Sequence, residues 1–222
     1  MRAALAIVKK DLILELRGRE VVVTIFVFAF LLLTLFSLSA EPGSTALKEM
    51  APGVLWMTFL FAGVLGLGRT FDRERENDCF QGLLMTPADH VQIYWGKCLS
   101  TMAFVVVFQL LLWPIFAVLY GFSPIQGAPL AWAAFLLGDA GFVALGVLLS
   151  AVTIHSRSRE LILPLLLFPL CLPVLVGGVR CTALALSGGG FGDAGMWLGR
   201  IAAFDVIFIS LGTILFPLVV EE

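Results

Sequence analysis

Apolar residues run along this chain in long windows with the charges gathered between them, and six windows carry at most one acidic or basic residue each. They cover residues 21–40, 51–68, 98–121, 130–154, 161–179 and 201–220. A helix needs about 20 mostly apolar residues to cross roughly 30 Å of hydrocarbon, so each window predicts a transmembrane helix. The first is longer than the apolar region of a signal peptide and no A-x-A-like cleavage site follows it, so it reads as a retained span. The expected fold class is an all-α membrane protein of six transmembrane helices, formed by one domain over 1–222 that leaves no room for a soluble one.

Between the windows the pattern changes. In the first 20 residues Leu5, Val8, Leu12 and Leu16 form a stripe, with Lys10 and Arg17 roughly opposite and with Ile7 and Leu14 on the polar side. This spacing predicts an N-terminal amphipathic helix lying in the membrane interface. The connection 69–97 is the one long link on its side. A charged run, Asp72, Arg73, Glu74, Arg75, Glu76 and Asp78, leads into the apolar Phe80, Leu83, Leu84 and Met85, which predicts a short amphipathic helix at the membrane surface. Thr86-Pro87-Ala88-Asp89 then supplies a cap residue, a proline at the first helical position and a carboxylate. A new helix is expected to start there and run into the third span.

Pro164, Pro169 and Pro173 each remove a backbone donor from the fifth span, which is therefore either kinked or broken, or simply tolerant of proline. Glycines crowd the second span (Gly63, Gly66, Gly68) and the fourth (Gly138, Gly141, Gly146), where small residues favour close helix packing. The glycine-rich stretch 177–199 is expected outside the membrane, with a short re-entrant or surface element.

Composition removes the soluble alternative: 60% of residues are hydrophobic, only 14% are charged and the mean hydropathy is +1.02, where soluble domains carry about one quarter charged residues. Charge adds orientation. Eleven of the 14 Lys and Arg fall in the N-terminal stretch and in the connections 69–97 and 155–160, whereas Lys48, Arg180 and Arg200 are alone in the alternate connections. The positive-inside rule places both termini in the cytoplasm. Trp56, Trp95, Trp113, Trp132 and Trp197 lie near predicted span ends, where indoles favour the interface. A net charge of −2 says little about partners, and no nucleic-acid partner is expected.

Catalytic and cofactor motifs are absent from the sequence. Cys79, Cys98, Cys171 and Cys181 form no CxxC or CxxCH; the first two face the cytoplasm in this topology, and the last two read as packing residues. A phosphate-cradling P-loop would need GxxxxGK followed by Ser or Thr, but Gly96-Lys97 is followed by Cys98 and has Val91 at the first glycine. His90 and His155 fall in connections, which leaves no histidine within a span for haem or for nucleophilic chemistry. No tryptophan-rich WxWD-type segment occurs, and the mixed run 72–78 is not the paired Asp-rich motif that holds a magnesium diphosphate.

Two carboxylates fall inside spans, where an unpaired charge is costly and function is the first expectation. Asp205 lies five residues from Arg200, which predicts an ion pair along one helix side. Asp139 sits deeper and has no partner nearby in sequence, so it is a candidate intramembrane polar site, either protonated or bonded to a neighbouring helix.

The stretch MAPGVLWMTFLFAGVLGLGRTF at 50–71, the charged run, GLLMTP at 82–87 and YWGK at 94–97 together resemble the ABC-2 type permeases, most closely the CcmB family of cytochrome c maturation haem exporters. Where these permeases often carry an acidic-Gly-x-Leu-Glu run, this chain reads Asn77-Asp78-Cys79-Phe80-Gln81-Gly82. The resemblance covers essentially the whole chain. It implies a multi-pass permease subunit of the bacterial inner membrane, not itself an enzyme, with ATP held by a separate CcmA-like ATPase. The charged run and Phe80, with Leu83, Leu84 and Pro87, would form the cytoplasmic coupling helix on which that ATPase docks. A CcmC-like haem-handling protein, a small CcmD-like subunit, a CcmE-like chaperone, membrane lipids and a second copy of the chain are the implied partners. Haem is the implied substrate, and no cofactor is assigned to this chain. Two other readings stay open: a non-conducting scaffold that passes ATPase force to a haem chaperone, and an ABC-2 exporter of another substrate.

Overall fold

The computed structural model describes residues 2–17, 19–41, 43–68, 70–71, 89–125, 127–154, 156 and 158–221. Among these it is all helix: α1 (Arg2–Arg17), α2 (Arg19–Leu38), α3 (Thr45–Leu67), α4 (His90–Tyr120), α5 (Ala128–Val152), α6 (Arg159–Leu170), α7 (Leu172–Leu186) and α8 (Phe191–Glu221). All six apolar windows fall on helices. Four helices, α3, α4, α5 and α8, are long and apolar enough to cross a bilayer singly, and α6 with α7 makes a fifth span if counted as one bent pair. The apolar part of α2, Val22–Leu38, is shorter.

From α2 onward, with α6 and α7 taken as one bent span, the helices alternate in direction, so the turns after α2, α4 and α7 gather at one end of the bundle. The connection 68–89 marks the other, here termed the loop end. α5 is the central helix and packs against α8, α7, α4, α3 and α6. Large apolar side chains such as Leu35, Val118, Leu165 and Leu218 point out of the bundle, the arrangement a lipid solvent favours.

Side-chain and backbone caps set several helix ends. The Ser44 hydroxyl accepts from the Leu47 N–H at 3.2 Å, and the Asp89 carboxylate accepts from the Val91 N–H at the same distance. Asp89 is therefore the N-cap of α4, which begins at His90 rather than at the expected Thr86-Pro87; residues 86–88 lie outside those described. Gly127 caps α5 with φ of +73°, and its α-carbon sits so close to the Ala185 carbonyl that no side chain would fit. Glycine is needed there on both grounds.

The fifth window is broken, not merely proline-tolerant. α6 and α7 meet at Cys171 with a bend of 58°. Pro173 has no N–H to give the Pro169 carbonyl, and its ring pushes that carbonyl away, which accounts for the bend. The stretch 177–199 is helical apart from a turn, since α7 runs on to Leu186 and α8 already starts at Phe191.

α1 packs along α4, but its buried face is rotated from the predicted stripe. Ala4 and Ile7 are buried while Leu5 is 63% exposed. The reason is Gly96 of α4: its bare α-carbon admits the Ile7 side chain and the Ala4 carbonyl, so the helix turns that side inward. Trp56 and Trp113 likewise depart from the interfacial expectation. Both are buried, and each indole N–H is satisfied internally at 2.9 Å, by the Thr182 hydroxyl and the Pro124 carbonyl respectively.

Candidate functional site

The segment expected to meet a motor, with Asp72, Arg73, Glu74, Arg75, Glu76, Asp78, Phe80, Leu83, Leu84 and Pro87, lies outside the described residues. Its two flanks are described, and they are tied together. Lys97 of α4, only 2% exposed, donates to the Thr70 carbonyl at 2.8 Å, forms an ion pair with Asp11 of α1 at 3.2 Å and stands 5.0 Å over the Phe71 ring. One ammonium thus joins the chain just before the segment, the helix just after it and the N-terminal helix. Asp11 also accepts from the Ser100 hydroxyl at 3.2 Å and pairs with Lys10.

The clasp is fixed to the bundle by aromatic packing. Phe71 is fully buried and stacks on Phe216 of α8 with centroids 6.4 Å apart, and Phe216 meets Tyr94 of α4 at 5.3 Å. The Tyr94 hydroxyl donates to the Ala144 carbonyl of α5 at 3.0 Å and lies against Gly212 of α8, where any side chain would displace it. The Ser150 hydroxyl donates to the Leu67 carbonyl at 3.1 Å and ties α5 to the end of α3. A displacement of residues 72–88 would therefore load α1, α4, α5 and α8 together. Counting Lys97 only as a topology-setting charge missed this role; the clue was a lysine followed immediately by the apolar run of a helix.

A second polar constellation lies at mid-depth. Asp139, near the middle of α5 and 5% exposed, accepts from the Gln109 side-chain amide of α4 at 2.9 Å. Of the two open readings of Asp139, the bond to a neighbouring helix is the one observed. Its other oxygen and the Gln109 carbonyl oxygen have no hydrogen-bond partner among the described residues. A cavity of about 20 Å³ borders Asp139 between Trp56, Phe142 and Cys171, roomy enough for a single water that would satisfy such groups.

Asp205 is not paired with Arg200. It is 5% exposed and turned inward against the Gly141 backbone of α5, with neither carboxylate oxygen hydrogen-bonded among the described residues. Arg200 instead lies over the Trp197 ring at 4.5 Å. Five residues along a helix is 500° of rotation, which separates the two side chains by more than a third of a turn, whereas Gly141 opens the α5 surface to the carboxylate. No group of three or more His, Cys, Asp or Glu positioned for a metal ion occurs among the described residues.

Asp139→Asn retains a partner for Gln109 and is expected to leave stability within about 1 kcal/mol of wild type, whereas Asp139→Leu strands the buried amide and costs about 1–3 kcal/mol. Replacing both residues by leucine should restore most of that loss. Thermal unfolding in detergent distinguishes these outcomes, and equal melting of the Asn and Leu variants would contradict the bond's contribution.

The family model described as "CcmB protein" matches residues 2–221. Heme exporter protein B of Pseudomonas aeruginosa is 28% identical over 177 residues, covering 80% of this chain and 79% of that one. The protein of the same name from Haemophilus influenzae is 27% identical over 175 residues, 78% and 77% of the two chains, and that from Rhodobacter capsulatus 28% over 177, 79% and 80%.

Proposed function

Since the chain belongs to the CcmB protein family, we propose that it is the permease subunit of a haem exporter serving c-type cytochrome assembly, driven by a separate ATPase. It is read as crossing the bacterial inner membrane six times with both termini in the cytoplasm. In this count α2 is the shortest span, near the 17-residue limit, and the bent α6–α7 pair is the fifth. The names of its relatives support haem as the substrate.

The observation that carries the coupling half of the reading is the Lys97 clasp. In this reading the charged run lies in the cytoplasm, and an ATPase that docks there pushes on a segment whose two flanks share one buried cation with α1. Closure of the ATPase is then felt by four helices at once, because Phe71, Phe216 and Tyr94 leave no slack between them. The central helix α5 receives this load through Tyr94 and Ser150 and packs directly on the bent span. In this reading a CcmC-like protein, a CcmD-like subunit, a CcmE-like chaperone and a second copy of the chain complete the assembly, and ATP binds only on the CcmA-like subunit.

Charge reversal at both Glu74 and Glu76 tests the docking assignment. Co-purification of the ATPase is expected to fall about ten-fold or more, since like charges set against a matched surface cost several kcal/mol, while membrane insertion is unchanged. Undiminished ATPase recovery would remove the assignment. With wild-type chain and ATPase alone in vesicles, ATP-dependent haem accumulation supports the permease, and its absence while the full assembly still delivers haem would make the chain a scaffold.

A further inference from the structure

Of the three basic residues that the charge count places on the outer side, two line one cleft and the third, Arg200, lies over an aromatic ring of its wall. Lys48 of α3 and Arg180 of α7 line a cleft of about 570 Å³ at the end opposite the loop end, within the roughly 300–1,000 Å³ range of ligand pockets. Trp197 of α8 lines the same cleft, and its ring holds Arg180 at 5.9 Å and Arg200 at 4.5 Å. Residues 48, 180 and 200 come from three different helices, and among the described residues none of these cations is in an ion pair. The cleft has one carboxylate, Glu49, and its other walls include Phe122 and Leu184. An excess of unpaired cations over an apolar, aromatic wall is complementary to an amphipathic anion. The Arg200 guanidinium gives an N–H to the Met196 sulfur at 3.7 Å, whereas the exposed Arg180 guanidinium, whose fork matches a carboxylate, suits its bidentate capture.

We propose that this cleft is the outer-face binding site for a planar tetrapyrrole held by its carboxylates, with Arg180 and Lys48 taking the propionates, Phe122, Leu184 and Trp197 facing the macrocycle, and Arg200 set over the Trp197 ring. The choice of tetrapyrrole over another amphipathic anion rests on the permease reading above; the cleft's own contribution is how the ligand is read. No histidine, cysteine or methionine is among the residues lining it, so the iron is not a recognised atom here. The site distinguishes acids from esters rather than metals from one another. It lies on α7, the outward half of the bent span, so a shift of that half-span changes the distance between Arg180 and Lys48 and thereby the hold on the carboxylates.

The test uses the chain assembled with its ATPase in nanodiscs of phosphatidylcholine, titrated with protoporphyrin IX, with haem and with protoporphyrin dimethyl ester. The free acid and haem are expected to bind within about three-fold of each other and the ester about ten-fold or more weaker, since charge-assisted hydrogen bonds are lost. Lys48→Gln combined with Arg180→Gln, both exposed positions, should weaken the acids by a similar factor and leave the ester unchanged, with Arg180→Lys intermediate. Ester binding equal to that of the acid, or full affinity in the double variant, overturns the site. Displacement of the acid by phosphatidylglycerol at equal mole fraction would make it a lipid headgroup site and overturns it too. Haem delivery by the complete assembly is measured alongside. Weakened binding with undiminished delivery removes the cleft from the export path and leaves the permease reading standing, whereas absence of delivery by the wild-type assembly counts against that reading itself.

Discussion

Lys97→Met is expected to destabilise the folded chain by about 3–5 kcal/mol, the range found when one partner of a buried ion pair is removed. The ammonium is 3% exposed at the side chain while Asp11 keeps 17% and its pair with Lys10, so the carboxylate left behind is partly hydrated and still paired, and the lower end of that range applies. The loss has two further parts, an unmet Thr70 carbonyl at 2.8 Å and the lost cation over Phe71. Lys97→Met with Asp11→Leu removes both charges and should recover most of the stability, as apolar replacements of buried pairs often do. Thermal unfolding of the two variants in detergent reads this directly. The same pair separates strength from coupling: the double variant is expected to fold and bind the ATPase yet deliver little haem. Melting of Lys97→Met within a degree of wild type would show that the clasp holds nothing.

How much of this was readable beforehand follows from the range of each interaction. Helix existence depends on local apolarity, and all six windows fall on helices because at most one charge interrupts each of them. The break in the fifth was visible as an alternative, since Pro169 and Pro173 flank Cys171 where the 58° bend falls. Pairings between helices were not readable. Gln109 is the most polar residue of the window 98–121, but nothing in the chain indicates that it faces Asp139 thirty residues on. Asp205 was assigned to Arg200 because distance along a helix was the only measure to hand; Gly141, on another helix, decides its direction. The stripe on α1 failed for a similar reason, since apolar Ile7 lies off the stripe and Gly96 of α4 decides which face is buried. Trp56 and Trp113 sit near window edges and so passed for interfacial, but the groups that satisfy their N–H atoms lie on other segments, Thr182 and Pro124.

Trp56→Ala should be the other large effect, at about 3–5 kcal/mol, the range for deleting a buried large aromatic. The indole is wedged between three helices: Gly138 of α5 and Gly178 of α7 both present bare α-carbons to it, and Phe135 lies 5.7 Å away. Its N–H bond to Thr182 is a second tie to α7. Trp56→Phe keeps part of the volume and should lose less, with the Thr182 hydroxyl left to find other company. The distinguishing consequence is local. Because the wedge is what presses the outward half of the bent span onto the bundle, hydrogen exchange in 172–186 is expected to rise ahead of exchange in α5, whose other neighbours stay in place. Uniform loosening of all helices would mean that Trp56 only fills volume. A change confined to α7 would identify it as the contact that sets the position of Arg180, and with it the spacing of the cations at the outer cleft.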